Sequence, residues 1–500
     1  MGQHQETESA VEVPLDARLP DLTTVDGVAS VDEPEALDLV AMYVDTPRLD
    51  LARAGVTLRR RSGGHDEGWH LKVPTGRPDD AGPRRRTEHR TPLADEVPAE
   101  LLPLVRSRTL DRPLAPRAEL RTHRLVHRLR DEAGTVVAEV ADDTVRALSA
   151  DGADLATWRE WEVELVDGPD EVVVATARAL ASVAGAEPRR AAKLTRALGP
   201  AAPEPRATSP RDGTAAEVVR AYVAVHTERL LAADPALRAG DDDAVHDARV
   251  ATRRLRTALA VFRPVVDRSA TDPVRDELSE LGHLLGDARD AYVERRALRR
   301  LVAQEDIELV LGPVAQRLDD DRSVARRTAL DALEGWLDSD RHLALLASLD
   351  ALADALPAGP RAGEPADRVV PRRARKAWRR LVDAVATGGD DHDDVLHQIR
   401  KEARRARYAS EVGALVVGDP ALRSARRARE VQDVLGRQHD SVVRRETLRR
   451  IGIQAHLDGE NAFTYGRLHA LAQEAGAAAE RAARRPVRRA VKRKHRRWAR

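Results

Sequence analysis

"AVHDARVATRRLR", residues 244–256, and "VLHQIRKEARRARYA", residues 395–409, decide between them how more than half of the chain folds. His246, Arg249, Arg253, Arg254 and Arg256 each meet the same residue type 151 positions later, at His397, Arg400, Arg404, Arg405 and Arg407. His246, Arg249, Arg253 and Arg256 are spaced i, i+3, i+7 and i+10, which on a helix of 3.6 residues per turn makes one stripe. The downstream copy has the same spacing. "LGHLLGDARD" (281–290) and "VQDVLGRQHD" (431–440) repeat as well, aligning Gly286 with Gly436 and Asp290 with Asp440. A lone arginine-rich helix reads as a solvated face with i,i+4 partners. Duplication with a histidine at the head of each copy points instead to one helical unit present twice, its two stripes facing a shared groove. Arginine keeps its charge and grips phosphate with two parallel N–H groups. A ladder of such groups suits a polyanion with repeated phosphates.

The 500 residues suggest two to four domains. With 42% hydrophobic and 33% charged residues the chain can bury real cores. It has no apolar run long enough to span a membrane and no apolar stretch near its start, so a cytoplasmic protein without a membrane partner is expected. Disulfides and thiolate metal sites are excluded, because there are no cysteines. Net charge is zero overall but unevenly placed. Residues 1–200 hold 27 basic and 36 acidic side chains, and the rest carry the compensating excess of base. Two domains with different electrostatic tasks are implied.

Residues 1–198 alternate short apolar runs with turn signals. "AGVTLRRRSGG", "EGWHLKVPTG", "LRTHRLVHRLRDEAG", "TVVAEVADDTVRALSADG" and "TWREWEVELVDG" read as strands, with "DEAG" as a hairpin turn. Segments 35–42, 97–107 and 170–198 show helical spacing. This is an α+β domain dominated by antiparallel strands. Residues 199–213, "GPAAPEPRATSPRDG", read as a linker. Residues 214–480 then follow a 3.6-residue period, with repeats at about 214–300 and 366–450. "RSATDP" (268–273), "GPRAGEPADR" (359–368) and "GGDDHDD" (388–394) read as loops, and 481–500 as a basic tail.

The pattern H-x-x-R-V/K-x-x-R-R-x-R, present twice and each time followed by L-G-x-x-x-D, resembles the CHAD domain. That family is an all-α bundle of two repeats associated with inorganic polyphosphate. The resemblance implies polyphosphate contacts at His246, Arg249, Arg253, Arg254, Arg256, His397, Arg400, Lys401, Arg404, Arg405 and Arg407, with Tyr408 as a further candidate.

The strands carry acid on one face. Glu6 and Glu8 alternate, as do Glu139, Ala141 and Asp143, and then Glu162 and Glu164. Arg59 with Arg61, and His70 with Lys72, alternate in the same way. Only six lysines occur in the chain, and Lys72 and Lys193 are two of them. Carboxylates and basic groups facing one cavity suit a triphosphate with a divalent metal, since Mg²⁺ and Mn²⁺ bridge carboxylates to phosphates. "ETESA" (6–10), "LRRR" (58–61), "HLK" (70–72), "EVADD" (139–143), "WEVEL" (161–165) and "AKL" (192–194) together resemble the CYTH domain of the triphosphate tunnel metalloenzymes, an antiparallel eight-stranded β-tunnel. The resemblance implies metal ligands at Glu6, Glu8, Asp143, Glu162 and Glu164, and phosphate contacts at Arg59, Arg61, Lys72 and Lys193. One or both of Arg121 and Arg124 would join them. One position departs from the family's opening E-x-E-x-K motif: Ala10 stands where the lysine belongs, and the run Arg84–Arg86 is a candidate to replace it in space.

The expected protein hydrolyses a small triphosphate, inorganic tripolyphosphate first, with Mg²⁺ or Mn²⁺, and binds inorganic polyphosphate through its helical domain. The alternatives are thiamine triphosphatase or adenylate cyclase activity, or a non-catalytic polyphosphate binder associated with polyphosphate granules. Aromatic residues are only 3% of the chain, which argues against a base-stacking nucleic-acid platform.

Overall fold

The structure, a computed structural model, describes residues 2–75, 83–185, 192–203, 212–387 and 392–499. The chain divides into two compact units, Met1–Pro205 and Arg206–Arg500.

The first unit is a closed antiparallel barrel. Its strands are β1 (Gly2–Val13), β2 (Ser30–Val31), β3 (Glu35–Asp45), β4 (Thr57–Ser62), β5 (Gly68–Pro74), β6 (Arg84–Thr91), β7 (Ala115–Arg130), β8 (Val136–Ser149) and β9 (Asp154–Leu165). The order β7-β3-β4-β5-β6-β1-β9-β8 returns to β7 through the β7–β8 pairing, so eight strands close the wall and the two-residue β2 flanks β7. Closure removes sheet edges and leaves an interior wide enough for a small ligand. Side-chain alternation then sorts the sequence. On β9, Trp161 and Val163 turn outward and are fully buried, while Glu160, Glu162 and Glu164 turn inward. A helix covers the outward face. Short helices α1 (Asp50–Arg53) and α2 (Leu102–Thr109) precede it; α3 (Asp170–Ala184) lays Val172, Val173, Ala177 and Leu180 on Val11, Val13, Trp161 and Val163. Each valine or leucine among them contributes about 1.5–3 kcal/mol on burial. The next helix, α4 (Lys193–Leu198), packs Leu194 and Ala197 against Tyr43, Leu120 and Trp158.

Two expectations for this unit fail. Residues 35–42 form a strand, not a helix: β3 pairs with β7 along its length and with β4 over Val40–Val44, and its exposure alternates residue by residue at its start. The helical segment 170–198 is two helices, α3 ending at Gly185 with φ 62° and α4 starting at Lys193; residues 186–191 lie outside those described.

The second unit is all-helical among the described residues: α5 (Ala215–Arg238), α6 (Asp242–Val261), α7 (Arg268–Ala303), α8 (Val314–Leu337), α9 (Asp340–Asp354), α10 (Ala366–Thr387), α11 (His392–Val417), α12 (Asp419–Leu457) and α13 (Phe463–Ala490). Helices α5 to α8 recur in order as α10 to α13, with α9 between, and α6 packs on α11 across the two copies. Buried Trp378, Ile399, Ala403, Ala406, Val431 and Leu435 make the core of the second copy. The segment 268–273 is helical rather than a loop, because Asp267 caps the Ser269 N–H and Pro273, six residues in, removes a single helix hydrogen bond. The loop expected at 359–368 stops before Ala366, where α10 begins; of the loop expected at 388–394, residues 388–391 lie outside those described and 392–394 already belong to α11. The basic tail is not a separate element. Helix α13 runs on to Ala490, and a tight turn at 493–499 packs back on the bundle, with Ala499 fully buried. None of the helices is long and apolar enough to cross a membrane among the described residues.

Candidate functional site

The barrel encloses a cavity of about 430 Å³. One side is acidic. Asp143 on β8 and Glu160 and Glu162 on β9 offer carboxylate oxygens all within 4.8 Å of one another. Register makes this triad, since Asp143 pairs with Glu160 and Glu162 with Ala141 and Ala10. Lys193, brought in at the start of α4, stands among the three, with Nζ 2.7 Å from Glu162, 2.9 Å from Glu160 and 3.0 Å from Asp143. Arg124 grips both oxygens of Asp143 at 2.7 Å and reaches Glu162 at 3.2 Å. Burial opposes ionisation of Asp143 and Glu162, but the two cations outweigh it and hold both carboxyls below their ordinary range. The donor set is all oxygen, which fits Mg²⁺ or Mn²⁺.

The opposite wall is basic. Arg59 and Arg61 come from β4, Lys72 from β5, Arg84 and Arg86 from β6. Burial, then the neighbouring Arg59 and Arg124, push Arg61 down to about 9, leaving it a cation at neutral pH. Between the walls lies a second carboxylate group. Lys72 Nζ is 2.8 Å from Glu6 and 3.7 Å from Glu88, and His70 Nδ1 is 2.9 Å from Glu88. Burial, against Lys72 but helped by Glu164 and Glu88, pushes Glu6 up to about 7. Burial also raises Glu164. Glu8 faces Arg86 at 3.4 Å and Arg84 at 3.8 Å.

Glu6, Glu8, Arg59, Arg61, Lys72, Glu162, Glu164 and Lys193 therefore line one cavity, and Asp143, fully buried, joins them through Arg124 and Lys193. The sorting within it differs from expectation. Glu160 completes the close carboxylate triad, while Glu6, Glu8 and Glu164 stand apart from it. Glu160 had a legible signal, since it continues the alternation of Glu162 and Glu164. Glu88 had none, lying in the basic run of β6. Of the two arginines on β7, Arg124 enters the site, whereas Arg121 points outward to Glu119 with its side chain 58% exposed. Ala10 lines the cavity, and Arg84 acts electrostatically on Glu162, the residue paired with Ala10.

In the helical unit the two stripes converge. Arg253 on α6 feels Arg249 on its own helix and Arg404 and Arg400 on α11; burial first, then these cations, push it down to about 9. Burial, then Arg400, Arg256 and Arg249, lower Arg404. Among the described residues Arg253, Arg256, Arg400 and Arg404 have no carboxylate within 4 Å, so four guanidinium groups remain open. Arg249 pairs with Asp290 at 2.6 Å. The repeated glycines give the repeated arginines room: a Cβ on Gly286 would lie 3.7 Å from Arg249, and one on Gly436 4.0 Å from Arg400. The His397 ring lies 5.3 Å from that of His439, tilted by 51°, and His246 lies exposed beside Arg289. Other stripe members hold the fold. Arg254 and Arg407 both bind Glu411, at 2.8 and 3.0 Å, with Tyr408 beneath both; Arg405 binds Glu402 at 2.8 Å. Lys401 is exposed.

A closed barrel with opposed carboxylates and arginines, followed in the chain by a duplicated helical unit, defines a triphosphate tunnel metalloenzyme-like fold joined to a polybasic bundle. The profile of the CYTH domain matches residues 4–197 and that of the CHAD domain residues 221–449. Two curated relatives from Mycobacterium tuberculosis, "Uncharacterized protein MT2285" (strain CDC 1551 / Oshkosh) and "Uncharacterized protein Rv2226" (strain ATCC 25618 / H37Rv), are each 37% identical, over 95% of this chain and 94% of theirs. The chain belongs to this CYTH–CHAD family. Distant structural likenesses are PptA from Streptomyces chartreusis (21% identity, TM-score 0.48, 55% of this chain and 100% of that one) and the CHAD domain from the plant Ricinus communis (22%, 0.43, 57% and 94%).

Proposed function

We propose that the tunnel hydrolyses inorganic tripolyphosphate and that the paired stripes of the helical unit bind inorganic polyphosphate. The observation that carries the first part is the carboxylate triad facing an arginine wall inside one closed cavity. Asp143, Glu160 and Glu162 would hold Mg²⁺ or Mn²⁺, with Glu6, Glu8 and Glu164 beyond them. Bound there, the ion supplies charge neutralisation at the phosphates and an acidified water. Arg59, Arg61, Arg84, Arg86 and Lys72 bind and orient the phosphate chain and stabilise the charge that develops on transfer. Arg124 and Lys193 hold Asp143 and Glu162 ionised, ready for a cation. Asp143 and Glu6 are buried in the barrel, where a lower effective dielectric strengthens their interactions.

The test is phosphate release from tripolyphosphate, thiamine triphosphate and ATP, each with Mg²⁺ and with Mn²⁺, for wild type and for Glu162→Ala with Glu164→Ala. Metal-dependent turnover that the double variant loses while staying folded is the expected result. Unchanged turnover removes these carboxylates from the site. A preference for thiamine triphosphate, or cyclisation of ATP, replaces tripolyphosphate as substrate. A second reading, a binding-only tunnel, is favoured by Ala10, and inertness of wild type under every metal would establish it.

A further inference from the structure

The end of the chain carries a second concentration of cations. Arg481, Arg485, Arg488, Arg489, Lys492 and Lys494, from the last turns of α13 and the turn beyond it, line one crevice of about 600 Å³. None of these six has a carboxylate within 4 Å among the described residues. A run of like charges ordinarily stays solvated and spreads apart. Here it is pinned. Trp498 Nε1 donates to Ser424 Oγ at 2.9 Å, and Ser424 Oγ donates to the His495 carbonyl at 2.6 Å. The Trp498 ring lies over Gly413, where a Cβ would come within 2.6 Å of it. Arg427 on α12 adds to the crowding, and burial together with Arg427, Lys494, Arg489 and Lys492 lowers His495. The dipole at the C-terminus of α13 favours cations over its final turn only. It accounts for Arg488 and Arg489 but not for Arg481 or the lysines past the helix end.

We infer that this crevice is a second phosphate-chain site, which takes a single strand of inorganic polyphosphate independently of the α6/α11 stripes. The lining offers N–H donors and almost no acceptors, so it reads phosphate oxygens and no base edge. Among the described residues its one ring is the His495 imidazole, and no Phe, Tyr or Trp lines it as a stacking platform. All six cations are exposed along the crevice, where a flexible phosphate chain can reach each of them. The inference rests on the helical unit being a polyphosphate binder, and the experiment separates the two.

Binding of long-chain polyphosphate to the full chain is measured across a salt series. The variants are Arg485→Gln/Arg488→Gln/Lys492→Gln in the crevice and Arg253→Gln/Arg404→Gln in the stripes, with thermal melts confirming that each is folded. Single-stranded and duplex DNA of matched charge serve as comparators. Loss of three contacts should flatten the log–log salt dependence by about 2, at roughly 0.7 per contact. The crevice variant should lose one class of polyphosphate sites while the stripe variant keeps that class. If the crevice variant binds polyphosphate with unchanged affinity and slope, the inference is overturned, whether or not it loses DNA affinity. If the stripe variant alone is unaffected, the stripes are not the binder and the crevice stands.

Discussion

Replacing Lys193 with methionine tests how the tunnel is held together. The ammonium sits 2.7–3.0 Å from three carboxylates, and its side chain is only 14% exposed. At an effective dielectric near 20, each contact is worth several kcal/mol of gross attraction, against a desolvation cost of the same order. Removing one partner of such a set leaves buried charge uncompensated, typically about 3–5 kcal/mol. Arg124 still neutralises Asp143 and Glu162, so the lower end, about 3 kcal/mol, is expected. For a unit of this size that lowers the melting temperature by roughly 6–12 °C. Calorimetry of the full chain at neutral pH should show this shift in the barrel's transition alone. Mg²⁺ or Mn²⁺ should then restore the variant more than it stabilises wild type, because a cation entering the triad replaces the missing charge; at a hundredfold excess over Kd the gain is about 2.7 kcal/mol. A variant that melts within about 2 °C of wild type, with both responding equally to metal, would refute the reasoning.

Glu6 sets a pH dependence of opposite sign to the usual carboxylate. Its folded value, about 7, lies above the unfolded one, so the fold binds the extra proton; stability is full below pH 4.5 and falls as pH rises through 7. Glu6→Gln should flatten that limb of a melting-temperature profile, and an unchanged profile assigns the slope elsewhere. Asp143 and Glu162, held low, contribute stability that is lost as pH falls below about 4. Ala10→Lys places an ammonium beside Glu162 and should raise tripolyphosphate turnover; if wild type and variant are both inert with every metal, the tunnel only binds. Charge reversal at Arg253 and Arg404 together should weaken polyphosphate binding far more than tripolyphosphate turnover. Reversal at Arg488 and Arg489 gives the comparison: a loss confined to this second pair would make the stripes ordinary solvated faces.

Much of this site was legible without coordinates, because the periods of strand and helix are properties of the backbone. A two-residue alternation puts Glu162 and Glu164 on one face whatever surrounds them. A 3.6-residue period does the same for Arg249, Arg253 and Arg256, and duplication announces that two stripes belong together. What alternation cannot supply is the neighbour. Arg121 and Arg124 lie three apart, on opposite faces of one strand; only the pairing of Arg124 with Asp143 in register says which is inside. Glu160 continues an alternation that the sequence shows, yet its place in the triad depends on closure against β8 and on α4 delivering Lys193. Short local patterns also misled. Residues 35–42 have helical spacing, but pairing with β7 throughout, and with β4 from Val40 onward, makes them a strand. Arg254 looks as available as Arg253 in sequence, and Glu411, 157 residues away, claims it. The chain's own pattern determined which faces are charged and that the bundle is doubled. Tertiary structure decided which charges neutralise one another and which remain open, since that depends on distances of a few ångströms between segments far apart in sequence.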